Sequence, residues 1–306
     1  MQILDFAETT LVLPYSKLVP AIALAAHDLA SGVIKAPERQ VVALDPSSVL
    51  LCMPAIGADI GVTKLITVHS KNAQHHLPAI QGEVIVFDTA TGRRRAILDG
   101  PTVTARRTAA VTLLGIQKLM PAVPTSALLI GTGAQAGEHA LALIDFFGVS
   151  HLRIASRTLA NAQALCAALV KHHPHVSALA VDFAELPMHC QEVDVVIALT
   201  TATTPVVPAQ LPPQTLAVGV GAFKPDMAEL PAELLHTREI VVDHLAGAQH
   251  EAGDLIRAHV NWNGVRDLAD VLMHGRNETA LAPVLKTVGH AAWDLAAARV
   301  AIEAIG

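Results

Sequence analysis

The chain has 306 residues, enough for two domains of ordinary size, with 52% apolar and 16% charged side chains. So few charges favour a large core and leave apolar surface for a subunit interface. A net charge of −6 offers no basic surplus for nucleic acid, and no apolar run reaches the length of a membrane span. In chain order, Leu18, Ile22, Ala25, Ala26 and Leu29 recur at helical spacing and predict a helix over residues 15–31. Strand-like segments follow at 41–44, 49–55, 60–68 and 83–87, and Thr89-Ala90-Thr91-Gly92 makes a tight turn into 95–98, a hairpin. Residues 104–119 read as an apolar helix, and Pro121 with Pro124 as a linker. From there short apolar strands alternate with helices, at 127–130, 151–155, 176–181, 194–199, 215–220 and, last, 239–243. That alternation predicts an α/β domain with a doubly wound parallel sheet of the Rossmann type. Residues 264–273 and those before Leu285 read as helix and loop, and 286–305 as a final helix returning to the first domain. The expected division is 121–285 for the nucleotide domain and 1–120 with 286–306 for a discontinuous α+β domain. Cys52, Cys166 and Cys190 are odd in number and far apart, and no basic stretch precedes an apolar one near Met1. Reduced thiols and no secretory leader are expected, hence a cytoplasmic protein.

Residues 127–148 form an apolar strand, a glycine turn and an amphipathic helix closed by Gly148. Gly131, Gly133 and Ala136 take the three small-residue positions of the dinucleotide fingerprint, with Thr132, Ala134 and Gln135 completing the cofactor-binding turn. Gly131 permits the tight turn, Gly133 lets the backbone approach a pyrophosphate, and Ala136 packs the helix on the strand. The helix N-terminus offers N–H groups and partial positive charge to the phosphates; the alternative is a merely structural βα turn. The next strand ends at Ser156-Arg157-Thr158, where an NAD-selective site would usually carry an acidic residue for the ribose hydroxyls. A guanidinium flanked by two hydroxyls instead suits a 2′-phosphate, so NADPH is the expected cofactor with NADH as the other donor. The alternative is that Arg157 caps a solvated strand end.

Three basic residues of the first domain stand out. Arg39 ends Ala36-Pro37-Glu38-Arg39, Lys64 interrupts the apolar strand 60–68, and Arg107 is the second of a pair near the start of the 104–119 helix. A lysine inside an apolar strand is costly unless paired or bound by an anionic ligand, the alternative being a side chain that snorkels out. Two arginines can clamp a carboxylate, though either could serve a surface ion pair. His75-His76 and His172-His173-Pro174-His175 lack a second ligand cluster at convincing spacing, so no metal is expected. Glu251-Ala252-Gly253-Asp254 is a polar turn at the sheet crevice, a helix cap as readily as a site.

Ala36–Arg39, Gly61–Val68 with Asn72, Ile80-Gln81-Gly82 and Leu98-Asp99-Gly100-Pro101-Thr102 belong to one longer pattern. It continues through Thr104–Ala110, Gly131–Gln135, Gly219-Val220-Gly221-Ala222-Phe223-Lys224-Pro225-Asp226 and Glu251–Asp254. In that order these segments resemble the ornithine cyclodeaminase/μ-crystallin family over nearly the whole chain. The resemblance implies a substrate-binding and dimerisation domain completed by the C-terminal helix, a Rossmann domain between, and a homodimer formed through the first domain's sheet. It makes Arg39 and Arg107 the carboxylate-binding pair and Lys64 the active-site lysine, and extends the cofactor-binding set to Thr200, Thr201 and Val220.

One departure separates the family's activities. Cyclodeaminases and related alanine dehydrogenases carry Asp as the third residue of Gly-Gly-Asp or Gly-Ala-Asp after the fifth strand. Here Gly221-Ala222-Phe223 puts a phenyl ring there, which accepts no proton, and Asp226 lies past Pro225. The ketimine-reductase branch lacks that Asp, and an apolar wall from Phe223 suits a small ring as substrate. The expectation is NAD(P)H-dependent reduction of cyclic imino acids by hydride transfer to C2, giving L-proline from Δ1-pyrroline-2-carboxylate and L-pipecolate from Δ1-piperideine-2-carboxylate. The alternatives are alanine-dehydrogenase-like amination of a keto acid, ornithine cyclodeamination, or a non-catalytic NADPH-binding crystallin-like protein. Both arginines and Lys64 speak against mere storage.

Overall fold

In the computed structural model, which describes residues 1–306 except Pro46, Ser47 and Ser70, the chain forms two units. Met1–Ala110 and His290–Gly306 make the first, and Val111–Gly289 the second.

The first unit runs β1 (Gln2–Leu4), α1 (Phe6–Leu11), α2 (Tyr15–Ala30), β2 (Gln40–Asp45), β3 (Ser48–Ile56), β4 (Ile60–His69), β5 (Ile80–Asp88), β6 (Arg94–Asp99) and the start of α3 (Gly100–Leu119). Its sheet has the order β1-β6-β5-β4-β3-β2, antiparallel except for the β1–β6 pair. Met53, Ala55, Val62, Ile66, Val84 and Val86 face its core, as period-two burial requires. The β5–β6 hairpin forms as expected, with Asp88 accepting from Thr91 N at 2.8 Å and Thr91 Oγ1 at 2.7 Å. β1 and α1 were not legible in the sequence, because three and six residues are too few to show a period. α3 begins before residue 104, since Asp99 accepts from Thr102 N at 2.8 Å and Pro101 suits the first turn. The two units divide within α3, ahead of the Pro121–Pro124 linker. Its last turns pack in the second unit, where Thr112 Oγ1 lies 3.0 Å from His139 Nε2 and a Cβ on Gly115 would meet Leu285 at 2.3 Å.

The second unit alternates β7 (Ser126–Ile130), α4 (Ala134–Phe147), β8 (His151–Ser156), α5 (Leu159–His172), β9 (Ser177–Asp182), α6 (Leu186–His189), β10 (Val195–Ala198) and β11 (Leu216–Gly219). It continues with α7 (Ala232–Thr237), β12 (Ile240–Val242), α8 (Leu245–Glu251), α9 (Gly253–Arg257), β13 (Arg266–Asp267), α10 (Leu268–His274) and β14 (Val284–Lys286). All eight strands are parallel, in the order β13-β12-β14-β11-β10-β7-β8-β9. Strand order reverses at β7, so the ligand crevice of such a sheet opens at the C-terminal ends of β7 and β10. Residues 239–243 do not hold the last strand, because β13 and β14 follow and β14 inserts between β11 and β12. Lys286 reads as the start of the final helix; instead it closes a strand and the chain turns at Gly289 (φ +83°).

α11 (Ala291–Ile305) then completes the first unit, packing on α2 and on β3 to β6. Ten of its fifteen residues are buried, six of them alanines, so its backbone approaches the sheet closely. Arg299 pins it there, with Nη1 3.1 Å from Asp28 Oδ2 and Nη2 2.8 Å from Asp59 Oδ1. Among the described residues no helix is long and apolar enough to cross a membrane.

Candidate active site

Lys64 lies mid-strand in β4, across from Met53 and Val84, and is 1% exposed. It does not snorkel out, so its ammonium needs a buried partner. The partner is Asp294 of α11, whose Oδ1 and Oδ2 lie 3.0 and 2.9 Å from Lys64 Nζ. Arg107 Nε donates to the same Asp294 Oδ1 at 3.1 Å. Arg39, half-buried ahead of β2, adds its positive charge to this cluster. Burial pulls the Lys64 ammonium down to about 8; Asp294 opposes that fall, and Arg107 and Arg39 add to it. Lys64 and Arg107 meet the one carboxylate of Asp294, which leaves a positive surplus that a ligand carboxylate would neutralise. Because Arg107 bonds Asp294 through Nε, the Nη edge of its fork has the geometry for a second carboxylate.

Local sequence fixes where Arg107 sits. Gly82 has φ +129°, and a Cβ on Gly100 would fall 2.5 Å from the Gly82 carbonyl oxygen, so β5 and the start of α3 press together. Arg107 follows two turns later, while Arg106 turns to a structural task. Its Nε donates to the Leu13 carbonyl at 2.9 Å and its guanidinium lies 4.3 Å over the Tyr15 ring.

The second unit supplies a fit for a dinucleotide. Gly131 has φ +127°, and a Cβ there would meet the Leu199 carbonyl oxygen at 2.5 Å, so only glycine serves. Gly133 is the N-cap of α4, and a Cβ on it would meet nothing within 4 Å, so the space beside it lies open to a ligand. Ala136 is fully buried against the sheet. Thr132, Ala134 and Gln135 line the turn, and Gln135 Oε1 is buried without a hydrogen-bond partner among the described residues. Thr132 Oγ1 lies 3.4 Å from Ser156 Oγ at the end of β8. Beyond it Arg157 is exposed, and so is Thr158, the N-cap of α5, which makes no side-chain cap bond. Of the remaining expected cofactor residues, Thr201 is exposed and Val220 is buried just after β11. The Thr200 side chain is committed to Glu229, to which its Oγ1 donates at 2.9 Å. Phe223 is half-buried in the loop after β11, with Lys224 Nζ 5.8 Å from its ring centroid.

Sequence reasoning missed Asp294 and Glu229. Each is a lone carboxylate in an apolar stretch, Trp293-Asp294-Leu295 and Ala228-Glu229-Leu230, and that isolation was the signal available. Asp254 is a backbone cap, accepting from Glu229 N and Leu230 N, and also pairs with Lys286 at 3.2 Å.

The sequence pattern of the ornithine cyclodeaminase/mu-crystallin family matches residues 2–305. Over 301 residues the chain is 45% identical to Delta(1)-pyrroline-2-carboxylate reductase 2 of Burkholderia ambifaria, covering 98% of this chain and 95% of that protein. It is also 45% identical, over 304 residues, to the Delta(1)-pyrroline-2-carboxylate/Delta(1)-piperideine-2-carboxylate reductase of Azospirillum brasilense, with 99% and 96% covered. The structure of Thermococcus litoralis Delta(1)-pyrroline-2-carboxylate reductase in complex with NADH and L-proline has the same fold. Its TM-score is 0.91 at 23% identity, over 99% of this chain and 97% of that one. From its second residue to its last helix, the chain belongs to the ornithine cyclodeaminase/mu-crystallin family.

Proposed function

We propose that this protein reduces Δ1-pyrroline-2-carboxylate to L-proline and Δ1-piperideine-2-carboxylate to L-pipecolate, with NADPH as its preferred hydride donor. The observation that carries this reading is the cation surplus around Asp294, in a chain 45% identical end to end to reductases of these imines. Arg39 and Arg107 hold the substrate carboxylate and thereby fix C2. Lys64, charged below about 8, holds a proton at the imine nitrogen, because an iminium carbon is the better hydride acceptor. Phe223 walls the ring and contributes no acid or base. A reduced nicotinamide bound at the turn from Gly131 to Ala136 supplies the hydride. Holding substrate and donor together is the larger contribution, worth up to roughly 7–11 kcal/mol of barrier in well-oriented systems.

Arg157, flanked by Ser156 and Thr158, supports NADPH over NADH. The exposed edge strand β2, with Val41, Val42 and Leu44 each at least half exposed, supports a homodimer formed through the first unit's sheet. The free thiols of Cys52, Cys166 and Cys190 support a reducing, cytoplasmic setting.

NADPH oxidation followed by absorbance should occur with either cyclic imine, and not with pyruvate plus ammonia or with buffer. Consumption only with pyruvate plus ammonia overturns the substrate; none with any of them favours a binding protein. Arg157→Ala should raise KM for NADPH by about tenfold or more, as the loss of a charge-assisted bond worth roughly 1.5–3 kcal/mol requires, and leave NADH nearly unaffected. An equal loss for both donors removes the case for the 2′-phosphate. For imine reduction kcat/KM should fall as pH rises through about 8, where Lys64 gives up its charge. Since Asp294 raises Lys64, Asp294→Asn should move that fall to lower pH; an unmoved profile would show that another group titrates. Sedimentation equilibrium should give twice the mass of one chain, and a single-chain mass would exclude the dimer.

A further inference from the structure

The second unit buries another charge cluster. Glu229, Asp254 and Lys286 are 0%, 2% and 0% exposed. Lys286 Nζ lies 3.2 Å from Asp254 Oδ2 and donates to the Gly219 carbonyl at 3.2 Å, at the end of β11. Asp254 Oδ1 accepts from Glu229 N and Leu230 N, which fixes the backbone from which the Glu229 side chain starts. That side chain reaches two loops at once. Its Oε1 accepts from Thr200 N at 2.5 Å and Thr200 Oγ1 at 2.9 Å, just after β10. Its Oε2 accepts from Gly221 N at 2.7 Å and Ala222 N at 3.1 Å, just after β11. The approach is close enough that a Cβ on Gly221 would fall 1.9 Å from the Thr200 carbonyl oxygen.

Four donors and no acceptor meet this one group, so only an acceptor-only carboxylate satisfies them all. A glutamine there would turn an N–H toward other N–H groups. Burial pushes the Glu229 carboxyl up, opposed by the charge of Lys286 and by the bonds from Thr200. The loop after β10 also touches the dinucleotide turn, because the Leu199 carbonyl is the atom that excludes a Cβ from Gly131. Glu229 therefore ties the loop after β10, at the switch point of the sheet, to its neighbour after β11, on the side where the half of a dinucleotide remote from Arg157 must lie.

We infer that Glu229 is a positioning residue for the nicotinamide end of the cofactor, acting through the loops after β10 and β11 that carry Thr200, Thr201, Val220 and Phe223; this rests on the reading above that a dinucleotide binds at these strand ends. Its task differs from that of Gly131–Ala136 and Ser156–Thr158, which serve the phosphates and the adenosine ribose. Loosening the clamp should therefore harm one end of the cofactor and spare the other.

Calorimetric titration of Glu229→Gln with NADPH and with 2′-phospho-ADP-ribose, which lacks the nicotinamide, reads the two ends separately. NADH and ADP-ribose replace them if the wild type prefers NADH. The expected result is dinucleotide affinity lowered by about tenfold or more, fragment affinity within about twofold of wild type, and kcat at saturating cofactor reduced, whichever substrate is turned over. Equal weakening of dinucleotide and fragment, or no weakening of either, overturns the inference. Should Glu229→Gln fail to fold, Thr200→Val removes the Oγ1 bond to Glu229, together with the one Oγ1 accepts from Ala202 N at 3.2 Å, keeps the three backbone donors, and must show the same selective loss at smaller size; an equal loss at both ends again overturns it. A wild type that binds neither ligand overturns the cofactor reading itself and the inference with it. Binding of both with no imine reduction leaves the clamp supported and the substrate wrong.

Discussion

A lysine can sit at the centre of an apolar sheet only if a carboxylate reaches it, and for Lys64 that carboxylate comes from 230 residues away. Much else in the first unit follows from this pair. The chain must leave that unit, build the whole Rossmann unit, and return so that α11 can present Asp294. The returning helix must also come close, which its alanines allow and which Arg299 secures from the other end. Removing Asp294 would strand an ammonium in the sheet and a guanidinium on α3, so the discontinuous domain and the candidate site share one interaction.

The two buried clusters apply one rule with opposite surplus. Around Asp294 two cations, Lys64 and Arg107, meet one carboxylate, and the unbalanced positive charge suits an incoming anion. Around Lys286 two carboxylates meet one cation, and the unbalanced negative charge is met by N–H and O–H donors of the protein itself. The first cluster is open to a ligand in electrostatic terms and the second is closed. A surplus left for a substrate makes a site, whereas a surplus consumed by backbone donors makes a scaffold.

Legibility in the sequence tracked how local each constraint is. The turn from Gly131 to Ala136 was readable because strand, glycine and helix are adjacent in sequence, and β3 to β5 because nine or ten residues display a period. β14 was not readable, since three residues show no period and its lysine mimics a surface. Lys64 registered as an anomaly without a resolution, because nothing near it in sequence names Asp294. Asp294 itself registered as nothing, for one acid in an alanine-rich helix looks like a solvated position until the helix is buried. Glu229 was hidden similarly, its four donors being mostly backbone N–H groups that carry no sequence signal. Phe223 was informative only through the family pattern, where an acid stands in related proteins.

In the proposed reaction Phe223 and Lys64 have complementary tasks. Reducing a cyclic imine consumes a proton at nitrogen and a hydride at carbon, so the protein must hold an acid near the nitrogen and needs no base to strip an amine. Lys64, held near 8 by burial against the pull of Asp294, is still charged at neutral pH and lies closer to neutrality than an exposed lysine, which suits proton donation. If Phe223 walls the substrate ring as proposed, a carboxylate at position 223 would add a base and draw water toward a carbon that should meet only hydride. A phenyl ring there does neither. On the proposed reading, the phenyl ring that stands in place of the acid removes the means for cyclodeamination and keeps the surroundings of the ring apolar.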